Sequence, residues 1–252
     1  MAVLCQITSI TCLLACLTYG AQSHADYKIG TLDYPPYTCQ RAGRIQGVAT
    51  ALVQQLLLQA KLDAQMQLMP WKRVLASARV GTVDAIYPAL KTTEREKYLI
   101  YLDQPLWVES VVLVRLDEGP SLGGDLSKLA GKSVCTALGF SLGSKFDNAF
   151  NQYGINKIEQ PTSTSCMRLL MQGLVEFYAT DLLTAQNQQS KATYRNWVTI
   201  DPHAIDETPS YLAVSRRSPL AQKMALLNQQ MNQLHLSGNK NRLAQQALNE
   251  CD

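Results

Sequence analysis

The chain has 252 residues, 46% hydrophobic and 17% charged, with 23 Lys and Arg against 20 Asp and Glu for a formal net charge of +3. That composition excludes a disordered chain and suits one large domain or two lobes with a sizeable core. No run of Lys and Arg is dense enough for a nucleic-acid patch, so a polyanionic partner is not expected.

Residues 1–25 contain no Asp, Glu, Lys or Arg, and 7–17 are mostly apolar. Ser23-His24-Ala25 places small residues at both cleavage-determining positions, so 1–25 reads as a secretory signal peptide cut after Ala25. Two other readings stand beside it. Leu13-Leu14-Ala15-Cys16 resembles a lipobox and would put a lipid on Cys16, and a retained transmembrane helix is interrupted by Gln6, Thr8, Ser9 and Thr11. Export changes how the cysteines read. Cys39, Cys135, Cys166 and Cys251 remain after cleavage, an even number in an oxidising compartment with three possible connectivities. No Cys or His spacing suggests zinc, and His24, His203 and His235 are scattered, so neither a metal nor a cofactor is expected.

Tyr27–Thr31 alternates and predicts a first strand. Leu32-Asp33-Tyr34-Pro35-Pro36-Tyr37 predicts a rigid turn presenting two tyrosines, either a plain strand exit or an aromatic wall. Gly47 leads into a helix over Val48–Ala60, with Leu52, Val53, Leu56, Leu57 and Ala60 at helical spacing. Ala64–Leu68 predicts a strand that ends at Met69-Pro70-Trp71-Lys72-Arg73, residues 74–80 a helix closed by Gly81, and 83–87 another strand. A β-loop-α-β-α-β order implies a largely parallel sheet with helices on its faces.

Pro88 then breaks the strand and a polar turn opens a helix. Thr92 or Thr93 can cap it, and Thr93 with Glu96 has capping-box spacing. Arg95 falls in the first turn, where the helix dipole disfavours a cation. Such an Arg at a strand-to-helix turn is placed to hold a carboxylate. The alternative is a surface Arg paired with Glu94, Glu96 or Asp103.

An extended Val-rich run covers 108–116, and 117–129 is loop-like. A second unit follows: a strand at 132–137, a glycine-flanked turn at 138–143, a helix at 144–153 and a strand at 157–160. Then come a helix at 166–172, a strand at 175–179 ending in Thr180-Asp181, and a helix over Leu182–Gln189. Strands at 197–200 and 210–214 precede a long helix at 220–236, and a last helix reaches about residue 249. The recurring unit predicts an α/β protein with a first lobe from 26–108, a second from 109–210 and a return to the first over 211–252. Ligand sites favour the cleft between such lobes and the carboxyl ends of parallel strands.

Gly30-Thr31 before Tyr34-Pro35-Pro36-Tyr37, Gly47, Gly81-x-x-Asp84-Ala85, Thr92-x-x-Arg95, Leu129-x-Gly131-Lys132-x-Val134 with Gly139, and Leu170-x-x-Gly173 before Asp181 follow in one order over 26–252. In this the chain resembles the family 3 periplasmic solute-binding proteins, the type II amino-acid-type receptors of ABC importers. The resemblance implies a two-lobed type II fold, each lobe a mostly parallel sheet flanked by helices. It implies that Thr92 and Arg95 bind the ligand, Arg95 through its carboxylate, and that Ser141 also donates to that carboxylate, beside a helix N-terminus that favours an anion. It places Asp181 on the ligand ammonium, and Tyr34 and Trp71 on the walls around the side chain. Some residues depart from the pattern: the interval from Asp84 to Arg95 is one residue short, and Ala49 and Ala51 replace an acidic pair. Lys72, Arg73 and Lys91 near Arg95 would make the cleft more cationic, pointing to a more acidic ligand or to one that is not an amino acid.

Lobe membership in that fold pairs Cys135 with Cys166, and Cys39 with Cys251 if the C-terminal helix returns to the first lobe. The function implied is a non-enzymatic, monomeric periplasmic receptor that captures an amino acid or related carboxylate and presents it to an ABC permease. Closure would turn on hinges near 107–110 and 211–213. Two other classes share the scaffold: an enzyme resembling cyclohexadienyl dehydratases, which would need a general acid or base in the cleft although nothing marks Glu109 or Glu207 near the hinges as catalytic, and a sensory module acting through a separate signalling partner.

Overall fold

A computed structural model of the protein describes residues 26–117, 119 and 121–251, so the expected signal peptide with its cleavage after Ala25, and the alternative lipid site at Cys16, lie outside the described residues. In chain order the first elements are β1 (Tyr27–Thr31), β2 (Cys39–Arg41), β3 (Arg44–Gln46), α1 (Val48–Ala60), β4 (Ala64–Leu68) and α2 (Trp71–Val80). Next are β5 (Ala85–Leu90), the single turn α3 (Thr93–Glu96), β6 (Leu99–Tyr101), β7 (Trp107–Leu116), β8 (Ser133–Ala137), α4 (Ser144–Gln152) and β9 (Asn156–Gln160). The remainder is α5 (Ser163–Met171), β10 (Phe177–Asp181), α6 (Leu182–Gln189), β11 (Val198–Ile200), β12 (Asp206–Ser215), α7 (Met224–Leu236) and α8 (Asn239–Ala247).

The sheet runs β4-β1-β5-β12-β7-β10-β8-β9, with β6 on β12 and β11 on β7. β1 is parallel to β4 and β5, and β8 is parallel to β9 and β10. Between these parallel units stand β12 and β7, antiparallel to each other and to their neighbours. This is the two-lobed type II architecture. Residues 107–111 of β7 pair with 206–210 of β12; β7 then continues onto β10 and β11, and β12 onto β5 and β6. The chain thus exchanges lobes on the first half of β12, a few residues before the expected hinge at 211–213. Pro209 hid that half from sequence reading, but β5 pairing begins only at Ser210, so a missing N–H there costs no ladder bond on that side.

Each core follows from strand alternation. In β7, Val111 and Leu113 face Leu129, Val134, Phe146 and Phe177, while Val112 and Val114 face Met167, Leu170, Tyr178 and Ala185. In the first lobe Leu52, Val53 and Leu56 of α1 pack with Val74, Ile86, Leu227, Met231 and Leu234. Two disulfides tie distant segments together: Cys39 of β2 to Cys251 beyond α8, with Cα atoms 5.8 Å apart, and Cys135 of β8 to Cys166 of α5, 5.5 Å apart. The β2–β3 hairpin escaped sequence reading; its turn uses Ala42 and Gly43, both at positive φ.

Candidate functional site

The loops that leave the carboxyl ends of β1, β5 and β8 converge beside the exchange of β7 and β12. They enclose a cavity of about 20 Å³ lined by Leu32, Tyr34, Trp71, Pro88, Leu90, Arg95, Glu109, Phe140 and Ser141. A water needs roughly 10–15 Å³ of such space, so in this conformation the cavity accepts about one.

Arg95 is only 6% exposed. Thr92 caps α3 by accepting the Arg95 backbone N–H at 3.2 Å, which fixes the turn and sends the side chain inward. The guanidinium donates to Leu90 O at 2.7 Å and to Gly139 O at 3.1 Å, and lies 5.5 Å over the Trp71 ring. Burial, the largest influence on it, pulls its pKa down. The surface-pair alternative does not hold: Glu94 pairs with Arg79 and Lys97, and Glu96 with Lys91. Arg95 therefore reaches from β5 in one lobe to the β8–α4 loop in the other, and its recorded side-chain acceptors are carbonyl oxygens.

Trp71 opens α2 directly after Pro70, three residues earlier than the periodicity predicts, because Pro at the boundary satisfies the helix start. Between Trp71 and Tyr34 sits Phe140, edge-on to both, with ring centroids 6.4 and 5.1 Å away. Tyr34 in turn stacks on Tyr37 at 5.3 Å. The space expected to hold a ligand side chain is thus occupied by the protein's own ring. Gly139 makes this possible. Its φ is +79°, a left-handed conformation that strains other residues, and it lets the loop pass close to Lys72 of α2.

Ser141 lines the cavity, but its hydroxyl donates to Asp147 Oδ2, and Asp147 Oδ1 accepts the Leu142 N–H at 3.0 Å. The anion demand of the α4 N-terminus is met internally by Asp147, a residue the sequence reading passed over. Asp181, 2% exposed, does not line the cavity. It caps α6 through the Thr184 N–H at 3.0 Å and accepts the Tyr37 hydroxyl at 2.8 Å. Burial raises its pKa, against the Thr184 N–H and Tyr37 hydroxyl. Thr92 lines a neighbouring depression of about 420 Å³ with Lys72, Arg79, Tyr98 and Phe140. Lys91 is turned away onto Glu96, and Arg73 lines neither space, so of the expected extra cations Lys72 alone faces this approach. A second depression, of about 220 Å³, is mostly apolar, with Leu68, Met69, Pro70, Pro161 and again Phe140.

Glu109 of β7 is the acid that shares the cavity with Arg95. It is 7% exposed, and its Oε2 accepts the Tyr34 hydroxyl at 3.5 Å. Burial, reinforced by the charge of Asp181, pushes its pKa up to about 8. Sequence reading placed Glu109 only near a hinge. Its signal was an acid inside a Val-rich strand, and sheet order was needed to show that it faces the cleft. A wider open depression of about 850 Å³ lies on the outer side of the first lobe, lined by Arg44, Gln54, Leu58 and Glu250, and contains none of these residues.

The family model described as bacterial extracellular solute-binding proteins, family 3, matches residues 27–250. A search of curated protein sequences finds no match. Among solved structures, a histidine kinase sensor domain with similarity to periplasmic binding proteins superposes with a TM-score of 0.78 at 18% identity, covering 88% of this chain and 96% of that one. The substrate-binding protein of an amino acid ABC transporter gives 0.73 at 17%, covering 87% and 97%. The ancestral amino-acid-binding protein AncCDT-1, a precursor of cyclohexadienyl dehydratase, gives 0.73 at 15%, covering 88% and 94%. At these identities the likeness concerns the fold.

Proposed function

The chain belongs to family 3 of the bacterial extracellular solute-binding proteins, and from that premise we propose that it is a periplasmic receptor, released by cleavage after Ala25, that captures an amino acid or related carboxylate between its lobes for an ABC permease. The observation that carries this reading is Arg95. A buried guanidinium held by two carbonyl oxygens from opposite lobes is placed to exchange them for a carboxylate, a stronger and bidentate partner. Tyr34 and Trp71 flank the solute once Phe140 has withdrawn, and Ser141 adds a donor by turning from Asp147. Withdrawal of Phe140 would join the small cavity to the depressions on either side, all three of which it lines. The lobes close about the paired stretches of β7 and β12, and the receptor acts as a monomer.

A thermal-shift screen of amino acids and dicarboxylates tests this. A stabilising solute is expected, and Arg95→Ala should abolish the shift; a shift indifferent to that substitution overturns the reading. Glu109 favours one other reading, an enzyme on the same scaffold, because general acid catalysis needs a poised acid in the cleft. Turnover of arogenate or prephenate would establish it.

A further inference from the structure

Arg95 and Glu109 line one cavity without pairing: no ion pair among the described residues includes Glu109. A cation and an acid held apart in one desolvated space present complementary ends to a guest that carries both charges. Asp181, where the family resemblance puts the acceptor for an ammonium, is differently engaged. One oxygen holds the Tyr37 hydroxyl and the other the Thr184 N–H, and Asp181 does not line the cavity that Arg95 and Glu109 share. The contact from Tyr34 to Glu109, at 3.5 Å, is by comparison long and easily given up.

We propose that Glu109, rather than Asp181, receives the cationic group of a zwitterionic solute whose carboxylate lies on Arg95, and that each such binding event expels one proton from the cleft. This rests on the receptor reading above. The groups facing Glu109 are Tyr34 and Tyr37 from the loop after β1, Arg95 from α3, Asp181 from β10 and Ser210 from β12. The hydroxyls of Tyr34 and Ser210 and the charge of Arg95 favour the carboxylate. Burial and the charge of Asp181 outweigh them and hold the proton on, with the pKa at about 8. An entering ammonium reverses that balance. The Glu109 O–H bond breaks, its proton passes to solvent, and the carboxylate formed pairs with the ammonium, so charge and atoms balance.

The test is calorimetry at pH 6.5 in two buffers of different ionisation enthalpy. The probes are amino acids set against the same molecules without the amine: L-phenylalanine with 3-phenylpropanoate, L-leucine with 4-methylpentanoate, L-glutamate with glutarate. The amino acid of a binding pair should release close to one proton and its partner none. Glu109→Gln, which keeps the shape of the protonated acid, should abolish the release and weaken the amino acid at least tenfold relative to its partner. Asp181→Asn, which removes a charge that helps hold the proton on Glu109, should lessen the release yet keep the preference for the amine. The proposal is overturned if Glu109→Gln keeps proton release and the preference for the amine, or if Asp181→Asn alone removes that preference. Binding of the deamino acids through Arg95 with no gain from the amine would leave the receptor reading standing and this proposal refuted. Binding of no probe would remove both.

Discussion

The Tyr37 hydroxyl donates to Asp181 across 2.8 Å, and with it the loop after β1 is fastened to the N-terminus of α6 in the opposite lobe. The Thr184 hydroxyl adds a second tie, to Pro35 O at 3.1 Å. The cleft is thus latched by the protein's own polar groups beside an aromatic ring that fills it.

Tyr37→Phe should undo the first tie. The ligand-free protein is expected to lose about 1–2 kcal/mol, the cost of a buried acceptor left short of a donor. It should also sample more open forms, which small-angle scattering would record as a larger radius of gyration. An unchanged radius would mean that the tie does not hold the lobes together.

Phe140→Ala should release the space between Tyr34 and Trp71. Aromatic pairs contribute roughly 0.5–1.5 kcal/mol each beyond area burial. A solute that no longer displaces two such contacts should bind about tenfold more tightly, provided its own side chain fills the gap. Titration of the variant against the wild type checks this, and weaker binding would show Phe140 to be part of the bound site instead of an occupant of it.

Glu109 predicts how stability varies with pH. Its folded pKa of about 8 lies above the unfolded value of 4.5. Between those values the folded state holds a proton that the unfolded state has lost, so stability must fall as pH rises through the window. The limiting slope for one such group is about 1.4 kcal/mol per pH unit, or about 3–6 °C of melting temperature for a chain of this size. Melting curves of the ligand-free protein from pH 5 to 8 should show the decline, and Glu109→Gln should flatten it.

The order of elements was legible because hydrophobic spacing alternates between the strand and helix periods, whereas a cation in a first helical turn only singled out Arg95, and the family resemblance rather than that turn pointed it to a ligand. The contents of the cleft were not. Phe140 enters it through a loop whose path depends on Gly139 at φ +79° and Gly143 at φ +87°, conformations that leave no mark in hydrophobic periodicity. The Ser141 hydroxyl is turned onto Asp147, and Asp181 accepts from Tyr37 and Thr184, partners that no motif in the sequence marks. Glu109 required the β7–β12 pairing, a contact between residues about a hundred positions apart.

Replacing Cys39 and Cys251 together by Ser should cost about 2–5 kcal/mol, since a bridge closing so long a loop constrains the unfolded chain strongly. Solute affinity should change little, because neither cysteine lines the cleft. Differential scanning calorimetry alongside titration separates the two effects, and a large loss of affinity at unchanged stability would contradict the assignment.

That same bridge has a topological consequence. With a sequence separation of 212, Cys39 and Cys251 make most of the described chain a covalent ring. Residues 190–193 and 195–197 are exposed, and Lys191 and Arg195 among them offer trypsin a cleavage point inside that ring. A cut there opens the ring without freeing a fragment, so the nicked protein would migrate as one species until a reductant separated its two pieces.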